Sequence, residues 1–472
     1  MVEKSNNFFG QKVVIMGLGL YEQGSGISAA KFFIEQQAKV LITDLKTSKQ
    51  LAKPVKELQK FAKQHPLAKL TFVLGKHRAK DFAAAKIIIR NPGVPASSNF
   101  LKLARANKIP IYTDISLFIK LYAGPILGVT GTRGKSTTAT LLYQIIKAWE
   151  PQSLLGGNLG QSPLLHLKNL KPTTPVVLEI SSWMAESLAD LKKSPQLAIV
   201  TNILPDHLNT YKNLKEYAAA KEHLWRYQQP SDIAVFDLDN KFTKAMGIRC
   251  LAQRFWVSQK YFAEQNGGFI KNQVLYFRRF GQEQKICRVK QLKVLGEHNV
   301  KNVLIATTAA LAFGVPLKIV RKQSLKFVGL ANRLELVKGL RGINFYNDTT
   351  ATTPDATLAA LQALTKTAQQ IILIAGGADK KLEFSGLTKE IKRRVKYLVL
   401  LPGAGTEKIK ADLKNYSSLA EVSSMSEAVK LAWLKAKRGG VILLSPACAS
   451  FGLFKNEFDR GQQFLKNIKK LK

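Results

Sequence analysis

The run Gly128-Val129-Thr130-Gly131-Thr132-Arg133-Gly134-Lys135-Ser136-Thr137 constrains this chain more than any other. Apolar residues at 125–129 predict a buried strand before the glycine turn, and residues 138–149 predict a helix after it. That order is a phosphate cradle. Glycine lets backbone N–H groups approach phosphate oxygens, and the helix presents its positive end to them. Lys135 adds a cation for the terminal phosphates, and the hydroxyl of Ser136 or Thr137 can hold Mg²⁺. The strict G-x-x-x-x-G-K-[ST] pattern is not met, because Val129 occupies the first glycine position.

With 472 residues, 46% of them apolar, the chain exceeds one ordinary core. The fold class predicted is α/β in three domains. Residues 1–123 form a Rossmann-like unit, 124–329 a central P-loop unit with a small antiparallel excursion, and 330–472 a second Rossmann-like unit. In the first, a strand over 12–16 leads into Gly17-Leu18-Gly19, a helix covers 27–36, and a strand over 40–43 ends at Asp44, where an acid would meet a ribose. The third glycine of G-x-G-x-x-G is replaced by Glu22, with glycines returning at Gly24 and Gly26, so the motif predicts a strand-to-helix turn more firmly than a dinucleotide. Further strands are expected over 86–89 and 109–112.

In the central unit, strands are predicted over 176–180, 198–202 and 233–236, with a helix over 214–227. Short β segments fall between 255 and 289, with Gly267-Gly268 and Gly281 as turn points, and helices follow over 298–312 and 317–325. In the last unit, strands over 344–347, 371–375, 397–401 and 441–444 alternate with helices.

Lys and Arg number 72 against 32 Asp and Glu, a net charge of +40. Such a field attracts polyanions. The lysines are spread along the chain, however, and no helix-turn-helix, zinc-finger or RNP pattern accompanies them. The expectation is no specific nucleic-acid partner, but weak, salt-sensitive association with RNA, DNA or anionic membrane. No apolar run reaches the ~18 residues of a membrane helix. Residues 1–10 lack a signal core, so the protein is expected in the cytoplasm. Cys250, Cys287 and Cys448 are far apart, and the six histidines form no zinc pair.

Several residues have two readings. Glu179 ends a strand before Ser181 and Ser182, where it can hold Mg²⁺ or cap a helix. Asp206-His207 follows a strand of the cradle unit, and a neutral imidazole is an acceptable ligand for a second hard cation. Lys221 lies on a helical stretch, Tyr217-Ala218-Ala219-Ala220-Lys221. Asn299 and Asn302, three apart on one helix, can grip an adenine edge or face solvent. Arg333 and Asp348 sit at the mouth of the last unit, as ATP contacts or as a surface ion pair.

Together these segments resemble the Mur ligase family. The carrying motifs are TGTRGKST at 130–137, GGNLG at 156–160, LEISS at 178–182, TNILPDHL at 201–208, YAAAK at 217–221, GEHNVKN at 296–302, NRLE at 332–335, NDTTAT at 347–352, GGADK at 376–380 and LSPACASFGLFKNEFDRG at 444–461. They follow the family's order over nearly the whole chain.

The resemblance implies a UDP-sugar-binding first domain, a central ATPase, and a last domain that closes over ATP and binds the incoming amino acid. It implies a monomer that joins D-glutamate to UDP-N-acetylmuramoyl-L-alanine with ATP and two Mg²⁺ ions, through an acyl phosphate. By the same resemblance, Lys135 and the backbone of Gly131, Thr132, Arg133 and Gly134 would hold phosphates. Ser136 or Thr137 with Glu179 would hold one Mg²⁺; His207 and a carbamylated Lys221 would hold the second. Asn299, Asn302, Arg333 and Asp348 would clasp ATP. Gly19, Asp44, Lys46, Asn158 and Ser181 would face the UDP sugar, and Thr352, Lys380 and Ser450 the glutamate.

Met184, Asn332, Thr350, Glu457 and the first-loop insertion Tyr21-Glu22-Gln23-Gly24 depart from the family pattern and bear on the acceptor side. A same-family ligase for another amino acid or acceptor, and a basic nucleic-acid or membrane-surface binder with a degenerate ATP site, remain the alternatives.

Overall fold

The computed structural model describes residues 8–20, 24–95, 97–207, 210–365, 368–380 and 382–471. Residues 21–23 of the first-loop insertion, Leu208 of TNILPDHL and the first seven residues lie outside that set. Contacts divide the chain into two compact units, residues 1–289 with 302–325 and residues 290–301 with 326–472.

The first unit holds two sheets. The smaller has the order Lys69–Leu74, Lys39–Asp44, Lys12–Met16, Ile87–Arg90, Ile111–Tyr112, all parallel. Val13, Val14 and Ile15 are fully buried, as a strand covered on both faces requires. The order reverses between Lys12–Met16 and Ile87–Arg90, so the carboxyl ends of those strands form the ligand crevice of such a sheet. The loop leaving Met16 turns at Gly17 and Gly19, with φ of 86° and 81°. A Cβ on Gly26, in the helix Ser25–Glu35, would meet the carbonyls of Gly17 and Leu18. The close helix–loop packing that a third fingerprint glycine provides is therefore supplied by Gly26 instead of position 22.

The larger sheet has nine strands in the order Gln282–Arg288, Val274–Arg279, Gly267–Lys271, Gln253–Ser258, Ile233–Asp237, Leu197–Val200, Ile126–Thr130, Val176–Glu179, Leu154–Gly157. It is parallel up to Gly267–Lys271, and the last two pairings are antiparallel. Gly267 and Gly268 thus begin a strand and are not a turn. A Cβ on Gly267 would strike the Trp256 carbonyl, which explains the glycine. The two hairpin turns fall at Asn272-Gln273 and Phe280-Gly281, all four with positive φ, as two-residue hairpins favour. The helix expected over 214–227 is shorter, Leu214–Glu222.

One apolar core runs from Phe8 through Phe118 to Trp256 and joins both sheets. Across it, Thr113 Oγ1 meets Ser187 Oγ at 3.0 Å, and Ser25 donates to the buried Asp114. None of the described helices is long and apolar enough to cross a membrane.

The second unit carries one sheet, ordered Glu335–Leu340, Ile343–Asn347, Val441–Leu444, Ile371–Gly376, Val395–Leu401, Leu419–Glu421. Only the first pair is antiparallel. Apolar clusters cover both faces, one around Leu361 and Leu373, the other around Phe345 and Phe464.

Candidate active site

The phosphate loop lies at the middle of the nine-stranded sheet. Ile126–Thr130 sits between Val176–Glu179 and Leu197–Val200, in register Val129 to Glu179 and Thr130 to Val200. Three strand ends therefore converge on Gly131. That glycine has φ 143°, and a Cβ there would collide with Thr201 Oγ1. Gly134, in the left-handed conformation, caps the helix Lys135–Trp149. The loop is pinned from the neighbouring strand: Thr132 N–H donates to Asn202 O at 2.8 Å, Arg133 N–H to Asn202 Oδ1 at 2.9 Å, and Thr201 Oγ1 to Arg133 O at 2.7 Å. Thr201 and Asn202 stood in a motif, but sequence gave them no role; backbone pinning leaves no signal in residue type.

Lys135 Nζ donates to the carbonyls of Gly131 and Thr132, both at 3.0 Å, so the ammonium lies over the loop it was expected to serve. Ser136 and Thr137 are in the first helical turn and nearly buried. Asn302, on the helix Glu297–Phe313, packs against Gly134 so closely that a Cβ there would overlap its side chain. Asn299, on the same helix, donates Nδ2 to Leu295 O at 2.8 Å.

Glu179 is 1% exposed. Its Oε1 accepts from Asn158 Nδ2 at 2.9 Å, while Oε2 is buried with no hydrogen-bond partner. A buried carboxylate oxygen without a donor is costly unless a cation meets it. Asn158, expected at the sugar, here orients the acid. Gly157, with φ 89°, makes room, since a Cβ would strike the Glu179 carbonyl. Ser181 caps the helix Ser182–Leu191, its Oγ accepting from Met184 N–H at 3.3 Å.

His207 is half-buried, with a positive φ of 54°. Its ring packs edge-on against Trp183 at 4.9 Å. Burial, aided by Lys221, Lys135 and Arg133, lowers its pKa against the pull of Asp206, which favours the neutral ring a metal needs. Lys221 is 1% exposed, its Nζ 4.7 Å over the Tyr217 ring. Burial first, then Lys135, brings its pKa down to about 7, although Asp206 and Glu179 act the other way. Among the described residues no three of His, Cys, Asp and Glu form a cluster. A cation held here takes few protein ligands, the habit of Mg²⁺ among phosphates and water.

At the crevice of the five-stranded sheet, Asp44 is buried and both its oxygens accept backbone N–H groups, from Leu18 at 2.8 Å and Lys46 at 2.9 Å. It shapes the Gly17–Gly19 loop, with Lys46 exposed beside it. Thr43 meets His77 Nδ1 at 2.7 Å at the same strand ends.

In the second unit, Asp348 follows Ile343–Asn347 and is buried. It accepts from Leu334 N–H at 3.0 Å and Ser445 Oγ at 2.7 Å, yet burial pushes its pKa up to about 7. Arg333, next in sequence to the Leu334 that donates to Asp348, is exposed. Lys380 Nζ donates to Thr352 Oγ1 at 2.9 Å, joining two residues expected at the amino-acid end. The Ala378–Ala449 bridge brings buried Ser450 to the same segment. Sequence missed Arg460, although it stands in the last motif. It is wholly buried and donates to Thr349 Oγ1, Thr349 O and Cys448 O at 3.1, 2.8 and 3.2 Å.

Family models match three spans of the chain: a Mur ligase MurD-like N-terminal domain over 11–113, a Mur ligase middle domain over 129–310, and a Mur ligase glutamate ligase domain over 332–448. The chain is 38% identical over 468 residues to the UDP-N-acetylmuramoylalanine--D-glutamate ligase of Roseiflexus sp. (strain RS-1), covering 96% of this chain and 97% of that protein. It is 36% identical over 463 residues to the protein of the same name from Borreliella afzelii (strain PKo), covering 96% and 97%. Among solved structures, the UDP-N-acetylmuramate-alanine ligase MurC of Thermotoga maritima shares the fold, with a TM-score of 0.60 at 20% identity over 97% of this chain and 99% of that one.

Proposed function

The chain belongs to the Mur ligase family, and from that premise we infer that it joins D-glutamate to UDP-N-acetylmuramoyl-L-alanine in peptidoglycan precursor synthesis, at the expense of ATP. The observation that carries this is 38% identity, over 96% of the chain, with a protein named as a UDP-N-acetylmuramoylalanine--D-glutamate ligase. The cytoplasm, where ATP is available, is the place this reading gives it. The domain borders belong to the same reading, near 123/124 and 329/330.

The phosphate loop and Lys135 bind the triphosphate and orient its γ-phosphorus. The alanyl carboxylate attacks that phosphorus, ADP leaves, and an acyl phosphate results. The glutamate amine then attacks the acyl carbon, losing a proton as phosphate leaves, and the amide forms. Positioning and charge neutralisation supply most of the acceleration.

Glu179, with Ser136 or Thr137, fits one Mg²⁺, because the unpartnered Oε2 offers it an oxygen. Bound Mg²⁺ neutralises phosphate charge and polarises the P–O bond. His207 and Lys221 would hold a second ion. Lys221 suits this role as a carbamate: the neutral amine would add to CO₂, forming an N–C bond with loss of one proton, and the two oxygens would be available to the metal. A pKa near 7 supplies enough neutral amine for that reaction. Asp44, Lys46, Gly19, Asn158 and Ser181 serve the UDP-sugar side, directly or by shaping loops. Asn299, Asn302, Arg333 and Asp348 serve ATP, and Thr352, Lys380 and Ser450 the glutamate.

Phosphate release tests the reading. It should require ATP, Mg²⁺, UDP-N-acetylmuramoyl-L-alanine and D-glutamate together, and L-glutamate should not replace the D form. Release that ignores D-glutamate would overturn it.

A further inference from the structure

The antiparallel end of the nine-stranded sheet holds a cavity of about 550 Å³, lined by Phe277, Arg279, Phe280, Gln284, Leu311 and Val315 among others. Alternation along the hairpin sorts its charges. Phe277 faces Gln284 across the strands and Arg279 faces Gln282, all four on the cavity wall. Arg278 and Glu283 form the pair between them and are joined as an ion pair. Glu283 is the one acid among seven basic residues from Lys271 to Lys293, and it falls on the other face of the strands.

Two aromatic rings and one backbone carbonyl hold Arg279. Its guanidinium lies 5.8 Å from the Phe255 ring and 5.3 Å from the Phe280 ring, and Nη1 reaches Ala312 O at 3.5 Å. Its Nε is buried and has no acceptor. Phe280 is 78% exposed at the hairpin tip, with φ 51°, a conformation bulky side chains seldom take. Asn266 Oδ1 accepts its N–H at 2.7 Å and holds the tip in place. A cavity whose wall sets an arginine and two glutamines beside Phe277, Phe280, Leu311 and Val315 suits an anion on an apolar body.

We propose that this cavity is a binding site for a small amphiphilic anion, a carboxylate or phosphate monoester on an alkyl or aromatic body. The anionic head accepts from Arg279, and the body lies against Phe277, Phe280, Leu311 and Val315. The site is separate from the ATP loop: Asn302 and Leu311 stand on one helix, about 13 Å apart along its axis.

Calorimetry on the full chain with four probes tests this. Decanoate and decyl phosphate should bind one to one, and the tighter of the two names the head group. Decanol and inorganic phosphate should each bind at least ten-fold more weakly. Arg279→Gln should weaken decanoate about ten-fold, and Gln284→Trp, at the exposed mouth, should weaken it by narrowing entry. Both variants should keep wild-type phosphate release and thermal unfolding. Lys285→Gln, which removes a neighbouring charge outside the cavity, should leave decanoate binding unchanged. Decanol binding as tightly as decanoate, or equal losses in Arg279→Gln and Lys285→Gln, would overturn the proposal.

Discussion

Glu179 in the first unit and Asp348 in the second are both carboxylates at strand ends, and both are less than a tenth exposed. One has a bare oxygen; the other has a donor on each. Their basic counterparts differ likewise. Lys221 lies against an aromatic ring with its pKa brought down to about 7, whereas Arg460 keeps three acceptors and is lowered only to about 10. Burial alone therefore does not say what a charged side chain is for. On the proposed function, groups left short of partners are the ones that meet substrate charge, and groups fully engaged hold the loops that bind it.

The sharpest test of that contrast is Glu179→Gln. It should lower turnover about 100-fold or more by weakening cation binding, on the scale of losing one transition-state contact. The ligand-free protein should unfold at nearly the wild-type temperature, because the lost charge had an unsatisfied oxygen. A large fall in the unfolding midpoint without ligands would erase the difference between the two units.

Lys221→Ala should lower turnover by a similar or smaller factor, with partial recovery when a short-chain carboxylic acid is added. Wild-type turnover should decline as pH falls through about 7, since the ammonium form cannot add CO₂. The stability sign follows from the same pKa. Between about 7 and the unfolded value the unfolded chain binds the extra proton, so the cost of burying the ammonium is full below about 7 and is relieved as pH rises across that window. Denaturation at several pH values, with and without the substitution, measures this.

Arg460→Met should destabilise the second unit by about 3 kcal/mol, because buried carbonyls of Thr349 and Cys448 lose their donors. It should raise KM for D-glutamate more than KM for ATP. Equal increases would make the arginine a general packing element.

The smallest expected effect belongs to Asp348→Asn. With its folded pKa near 7, the aspartate binds a proton in the folded state that the unfolded chain releases above about 4. Wild-type stability should thus fall between pH 4 and 7, and the substitution should flatten that slope. An unchanged slope would mean that Asp348 is ionised when folded.

Interior strands were legible in the sequence because burial on both faces writes an unbroken apolar run, as in Ile126–Thr130 and Ile371–Gly376. Four strands that the sequence did not announce, Lys69–Leu74, Leu154–Gly157, Glu335–Leu340 and Leu419–Glu421, all lie at sheet edges. An edge has one neighbour and one open side, so lysine, glycine and glutamate are tolerated there and the pattern is lost. The phosphate loop, Glu179, His207 and Lys221 were visible because their chemistry lies in residue type. The work of Asp44, Asn158 and Ser181 was not, since a carboxylate that accepts two amides looks the same in sequence as one that accepts a ribose. Arg460 was hidden for a related reason: in a chain with 72 basic residues, nothing in the letter R marks the one that is wholly buried.

That arginine also limits how the proposed amino-acid end can be redesigned. One guanidinium fastens the turn at Thr349 to the turn at Cys448, so neither can be re-shaped alone without slackening the other. A laboratory seeking a new acceptor for this ligase would do better to exchange both turns as a matched set than to mutate them singly.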